Sequence, residues 1–191
     1  MPRQGHRKVD HRRDCRLARF EILHCQTPFR ESWDKERLKD GGITSASNES
    51  SVVLYGSFEK GNVLLTGDAG INGLTWAANM ADSLGLPLQQ FSFVQIPHHG
   101  SRRNVGPTIL TRLLGNKQQE SDPTRFATFV SAPKDDEQHP RRIVLNAFKR
   151  RGARVIATQG SSKLHYGGFP KRDGYSDAEV LPFYTRVEEY T

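Results

Sequence analysis

The sequence has few of the features that would place it quickly. It holds two cysteines in 191 residues, Cys15 and Cys25. Their spacing matches no zinc pattern and builds no disulfide framework, so a reduced, cytoplasmic setting is expected. No apolar run approaches the ~20 residues needed to cross a bilayer, so no membrane association is expected. The basic N-terminus is not followed by the apolar stretch of a secretory signal. Hydrophobic residues make up only 35% and mean hydropathy is −0.66, which is low for a compact globule. Part of the length is therefore expected in tails or loops, with 1–17, 30–50, 116–124 and 170–179 as the polar candidates. No internal repeat is evident.

Charge is abundant and uneven. The net charge is +7. Arg3, Arg7, Lys8, Arg12, Arg13, Arg16 and Arg19 crowd the first segment, and Arg141, Arg142, Lys149, Arg150, Arg151 and Arg154 form a second group with no acid between them. Such clusters attract DNA or RNA, though a solvated helix face and a basic tail would look the same.

The patterning predicts a basic arm over 1–17, a domain over 18–169 and a mobile tail over 170–191. ARFEILHC (18–25) reads as a strand, and 30–50 as a loop with about one helical turn. SVVLYGSF (51–58) and VLLTGD (63–68) read as a hairpin around a Glu-Lys-Gly-Asn turn. Helices are expected over 74–84, 106–114 and from Pro140 to Gly152. They alternate with strands FSFVQI (91–96), FATFVSA (126–132) and ARVIAT (153–158), and a short hairpin could follow. The fold class is therefore α/β, a mixed sheet with helices packed on it.

Chemistry-bearing residues follow three of these strands, where ligands bind in layered α/β sheets. Asp68 leaves a nearly apolar strand at a Gly-Asp turn and could bridge cations or simply close an Asx turn. His98 and His99 follow Pro97. In an extended chain they would point in opposite directions, so one is expected to coordinate and the other to orient a ligand or touch substrate. Ser101 could cap a helix or meet an anion. His139 precedes a predicted helix N-terminus, a place suited to anions, or is a surface histidine.

Together these motifs resemble the metallo-β-lactamase fold, and within it the hydrolase domain of the bacterial DNA-uptake (competence) channel proteins. That family runs N-x-S-x-V-L, LLTGD, HHGS, GHPHP and a helix ending in R-G. Here the matching residues are Asn48 to Leu54, Leu64 to Asp68, Pro97 to Ser101, Gln138-His139-Pro140 and Arg151-Gly152. The match spans about Ala18 to Thr158. The resemblance implies the C-terminal half of an αββα sandwich, with Asp68 bridging metals, one of His98 and His99 as a ligand, and His139 catalytic at the rim. It also implies a divalent metal, Zn²⁺ or Mn²⁺, and substrate contacts from Ser101, Arg102 and Arg141. Arg141 stands where the family has a second histidine and could clamp a phosphate.

The family's main ligand signature, HxHxDH, is missing. His6-Arg7-Lys8-Val9-Asp10-His11 has three matching residues, but Lys8 replaces a ligand and no apolar strand precedes it, so it reads as coincidence. The expectation is half a metal site, completed by a second polypeptide or a missing N-terminal segment. The functions to weigh are a phosphodiesterase or nuclease, a non-catalytic subunit with vestigial motifs, and a hydrolase of lactams, thioesters or peptides.

Overall fold

A computed structural model describes residues 29–190. The basic arm, the expected strand 18–25, both cysteines and the His6–His11 motif lie outside the described residues. The elements run β1 (Phe29–Arg30), α1 (Ala46–Glu49), β2 (Leu54–Phe58), β3 (Gly61–Leu65), α2 (Ile71–Ser83), β4 (Phe91–Gln95), α3 (Pro107–Leu114), β5 (Phe126–Val130), α4 (Arg142–Lys149), β6 (Ala153–Ala157) and β7 (Arg186–Val187). Five strands form one sheet in the order β2-β3-β4-β5-β6. β2 pairs antiparallel with β3, and the other pairs are parallel. The sheet is mixed, the class is α/β, and the hairpin forms as expected. No helix among the described residues is long and apolar enough to cross a membrane.

Alternation within the strands separates two faces. Leu64, Val94, Val130 and Val155 point into one core with Leu74 and Ala78 of α2, Ile109 and Leu110 of α3, and Val144 and Phe148 of α4. Phe93 meets Phe129 edge-on, with ring centroids 4.9 Å apart, and the His165 ring at 5.0 Å. The segment carrying His165 covers that part of the sheet without regular structure. The hairpin expected after residue 158 does not form: no strand lies between Ala157 and Arg186.

The polar stretch 30–50 contributes far more than a loop. Glu31 and Arg150 are both buried. One Glu31 oxygen accepts from the Arg150 guanidinium at 3.0 Å and the Arg37 amide at 2.9 Å, and the other from Asn146 at 2.7 Å. Arg150 also donates to the carbonyls of Ser32, Trp33 and Lys35. Burial lowers the pKa of Arg150 and the charges of Glu31 and Glu36 oppose that shift; a guanidinium keeps its proton regardless. Arg151, equally buried, pairs with Glu36 at 2.8 Å and donates to the Pro107 carbonyl and the Thr111 hydroxyl. This removes Arg150 and Arg151 from the polyanion surface expected of the 141–154 cluster. Two of its arginines are internal struts that no phosphate reaches.

The flanking segments also finish the helices. The residues preceding α2, α3 and α4 provide no side-chain cap. Acids from elsewhere bind the free amides instead. Glu49 accepts from Gly73 at 2.7 Å, Asp40 from Thr108 at 3.1 Å, and Glu188 from Arg142 and Ile143 at 2.9 and 3.3 Å. The expected mobile tail is thus partly docked. Val187 is buried, the Leu181 amide bonds the Val155 carbonyl, and Asn146 holds Tyr184 through two hydrogen bonds.

Two outcomes follow for stability. Removing one partner of a satisfied buried pair leaves an uncompensated charge, so Arg150→Met or Glu31→Ala should each cost about 3–5 kcal/mol in urea unfolding. A loss under about 1 kcal/mol would show that the pair does not hold the fold. Burial also lowers the His165 pKa below its ordinary 6.5. The unfolded chain then takes up this proton first, so stability is full above pH 6.5 and falls as the pH drops from there toward the folded value. The difference between wild type and His165→Gln should therefore change between pH 7.5 and 5; a pH-independent difference would contradict the burial.

Candidate metal site

Two tight turns meet at the ends of β3 and β4. The chain leaves β3 through Thr66-Gly67-Asp68, with Gly67 at φ +52°. The Gln95 side-chain oxygen accepts from the amides of Thr66 and Gly67 at 3.1 and 3.2 Å. The Thr66 hydroxyl returns a bond to the Gln95 carbonyl at 3.0 Å. The His98 amide donates to the Gly67 carbonyl at 3.1 Å, and buried Asn104 donates to the Asp68 carbonyl at 2.8 Å. The Asp68 turn is therefore held from three sides before its carboxylate is considered.

The second turn removes the premise behind the expectation of a single histidine ligand, an extended chain after Pro97. His98, His99 and Gly100 have φ of +43°, +55° and +81°. Left-handed backbone at a non-glycine residue costs about 1–3 kcal/mol, and surrounding structure must impose it. The turn breaks the alternation of an extended chain and brings both imidazoles to the same place. Donor atoms of Asp68, His98 and His99 all lie within 4.8 Å of one another. Gly100 is required twice: its φ is positive, and a Cβ there would sit 2.8 Å from the Pro140 side chain. The Arg141 amide also bonds the Gly100 carbonyl, which fastens the start of α4 to this turn.

The donor set fits a divalent ion. His98 Nδ1 is buried without a hydrogen-bond partner, and Asp68 Oδ1 lies 3.4 Å away, outside hydrogen-bond geometry. An unpaired buried nitrogen beside a carboxylate is costly unless something occupies the gap. His99 Nδ1 contacts the Ser131 carbonyl, which orients that ring and leaves Nε2 for an ion. Asn48, from α1, lies 3.5 Å from His98 Nε2. One carboxylate and two imidazoles suit Zn²⁺, and also Mn²⁺.

His139 lies at the rim, its ring centroid 6.3 Å from that of His98. Asp136 holds His139 Nδ1 at 3.1 Å and also accepts from the backbone amides of Gln138 and His139. The Gln138 amide does most to keep the Asp136 carboxyl below its usual pKa, against the opposing effect of burial. The α4 N-terminus beside His139 is not open to an anion, because Glu188 already fills it.

A cavity of about 430 Å³ adjoins the cluster, bordered by Thr44, Ser45, Asn48, His98, His139 and residues 101–103 and 141. All three expected substrate contacts border it, but with unequal freedom. Ser101 is buried and its hydroxyl oxygen accepts from the Arg103 amide; its side chain N-caps no described helix. Arg102 donates to the Glu189 carbonyl and lies over the Tyr190 ring at 4.7 Å. Arg103 and Arg141 form no ion pair among the described residues. Sequence reasoning gave no role to Gln95, Asn104, Asp136 or Arg103. Gln95 and Asn104 act through backbone amides and carbonyls, and Asp136 through two amides and the His139 ring, none of which residue type announces. Arg103 was separable from Arg102 only by what the C-terminal segment binds.

No protein-family model, no curated protein and no solved structure matches this chain.

Proposed function

We propose that this chain is a metal-dependent hydrolase of phosphate esters, a phosphodiesterase or nuclease acting on nucleic acid or nucleotides. The proposed architecture is half of a metallo-β-lactamase-like sandwich. The observation that carries the reading is the convergence of Asp68, His98 and His99 beside a cavity bordered by Arg103 and Arg141, which form no ion pair among the described residues. Three protein ligands are the usual complement of a catalytic ion with an open position.

When bound, a divalent ion supplies Lewis acidity and makes water more acidic. The chain's own residues do the rest. Asp68 and the two imidazoles fix the ion's place through turns that the sheet imposes. Arg103 and Arg141 attract the phosphate charge. His139, oriented by an ionised Asp136, exchanges a proton through Nε2 at the rim. With His6, Asp10 and His11 read as coincidence, a second ion would need ligands from a second polypeptide, so the chain alone should hold one ion rather than two.

Metal analysis and hydrolysis of a generic phosphodiester by the purified full-length chain test this. One equivalent of zinc or manganese is expected. Asp68→Asn should weaken metal binding by more than the roughly 10–100-fold that loss of a ligand's supporting group costs, and should abolish hydrolysis. Stability in chelator should be unchanged. A chain that binds no metal, or an Asp68→Asn protein destabilised in chelator, would make Asp68 a structural turn residue. Metal binding without hydrolysis would favour a non-catalytic subunit. Two tightly held equivalents would place His6, Asp10 and His11 among the ligands.

Binding of single-stranded oligonucleotide should fall steeply with salt, because each neutralised phosphate releases counterions. Arg103→Ala and Arg141→Ala should weaken it. Affinity that stays flat from low to moderate salt would remove nucleic acid from the candidate substrates.

A further inference from the structure

β2 is the edge of the five-stranded sheet, and no other described strand pairs with its outer side. Exposed edges template pairing with another chain, and proteins usually blunt them with lysine, proline or a bulge. Here none is present. Residues 50–58 contain no charge and no proline, and the β2–β3 register runs without interruption from Leu54↔Leu65 to Phe58↔Gly61.

The helix beside that edge is equally unprotected. Leu74, Ala78 and Ala81 of α2 are buried, and Asn79 and Asp82 bind Arg112 of α3 at 2.7 and 2.5 Å. At 100° per residue, Trp76, Met80 and Leu84 form a stripe on the opposite flank, away from α3. The Tyr55 hydroxyl of β2 donates to the Pro87 carbonyl just beyond α2, at 3.0 Å. This ties the end of the helix to the edge strand. Leu54, Phe58, Trp76, Met80 and Leu84 each leave more than half of their surface exposed. With Val52 and Leu65 they expose apolar surface on the order of 800 Å², about what one partner contributes to a standard protein interface.

We propose that two copies of this chain associate about a twofold axis along the β2 edge. Antiparallel pairing of β2 with its copy, centred on Gly56, sets Leu54 opposite Phe58 on one face of the joined sheet. On the other face it brings the two Trp76–Met80–Leu84 stripes together. An isologous contact needs a self-complementary patch. An uncharged strand that pairs with itself, flanked by an apolar helical stripe, is such a patch; the nearest charges, Glu59 and Lys60, fall at the turn end of the strand.

The test is the mass of the full-length chain in solution, by light scattering and sedimentation at micromolar concentrations. Twice 21.6 kDa is expected. Ser57→Lys, which puts a lysine on the edge, and Trp76→Glu, at an exposed position, should each raise the dimer dissociation constant by about 30-fold or more, the scale of losing an interface hot spot. Circular dichroism should be unchanged; Met80→Lys provides a third variant should one fail to fold. A monomer at ~100 μM, a dimer untouched by all three substitutions, or a complex with a different co-purifying chain would overturn the proposal. The second outcome would place the interface elsewhere, residues 1–28 included.

Discussion

The guanidinium of Arg150 fills the concave side of the turn at residues 31–35, and most of the arrangement depends on it. A charge removed from water is tolerated only when it is paired and hydrogen-bonded. Arg150 meets that demand with the Glu31 carboxylate and three backbone carbonyls, so it fixes the path of the chain between Glu31 and Lys35. Once that path is set, Glu36 reaches Arg151 and Asp40 reaches the start of α3. Six residues beyond Asp40, the same segment arrives at α1, where Glu49 binds the first turn of α2 and Asn48 comes up beside His98. A segment with little regular structure thus reaches three helices through individual acids and the candidate metal site through Asn48.

The site inherits its geometry from backbone bonds more than from side-chain packing. Parallel pairing of β3 with β4 brings their C-terminal turns together, and Gln95 sits between them because its position in β4 faces the exit of β3. The two left-handed histidines cannot relax to an extended chain without giving up the bonds from the His98 amide to Gly67 and from the Arg141 amide to the Gly100 carbonyl. Strain of a few kcal/mol is sustained because the sheet, α4 and the Asp68 turn all oppose its release. Candidate ligands held this way would lose little freedom on binding an ion.

The sequence made legible those parts that rest on periodicity and punctuation. The hairpin, the alternation of helices and strands from Phe91 onward, and the placement of Asp68 beside the His98-His99 pair all follow from apolar runs ended by Gly or Pro. What was not legible depends on distant partners. Two arginines in a basic run look alike whether solvated or buried, and only Glu31 and Glu36, more than a hundred positions earlier, decide between these states. The assumption of an extended chain after Pro97 failed for a similar reason. Consecutive positive φ values at histidine are unfavourable locally and arise only because neighbouring elements compel them. The C-terminal stretch reads as a tail because it is polar and Gly-rich around 167–174, while its anchors, Leu181, Tyr184 and Val187, are too few to form a periodic pattern.

One electrostatic consequence joins the scaffold to the site. Helix N-termini are ready anion sites, and three of them begin on the core side of this sheet. All three are already occupied by carboxylates of the chain itself, from Glu49, Asp40 and Glu188. The dipoles that a phosphate would otherwise use are spent on closing the fold. Attraction for an anion near Asp68 must then come from side chains, and of the arginines bordering the adjoining cavity Arg102 is taken up by Glu189 and Tyr190. That leaves Arg103 and Arg141, which belong to the two turns joined at Gly100. The proposed recognition of charge and the placement of the candidate metal ligands therefore rest on the same piece of backbone, and a change that loosened one turn would disturb both.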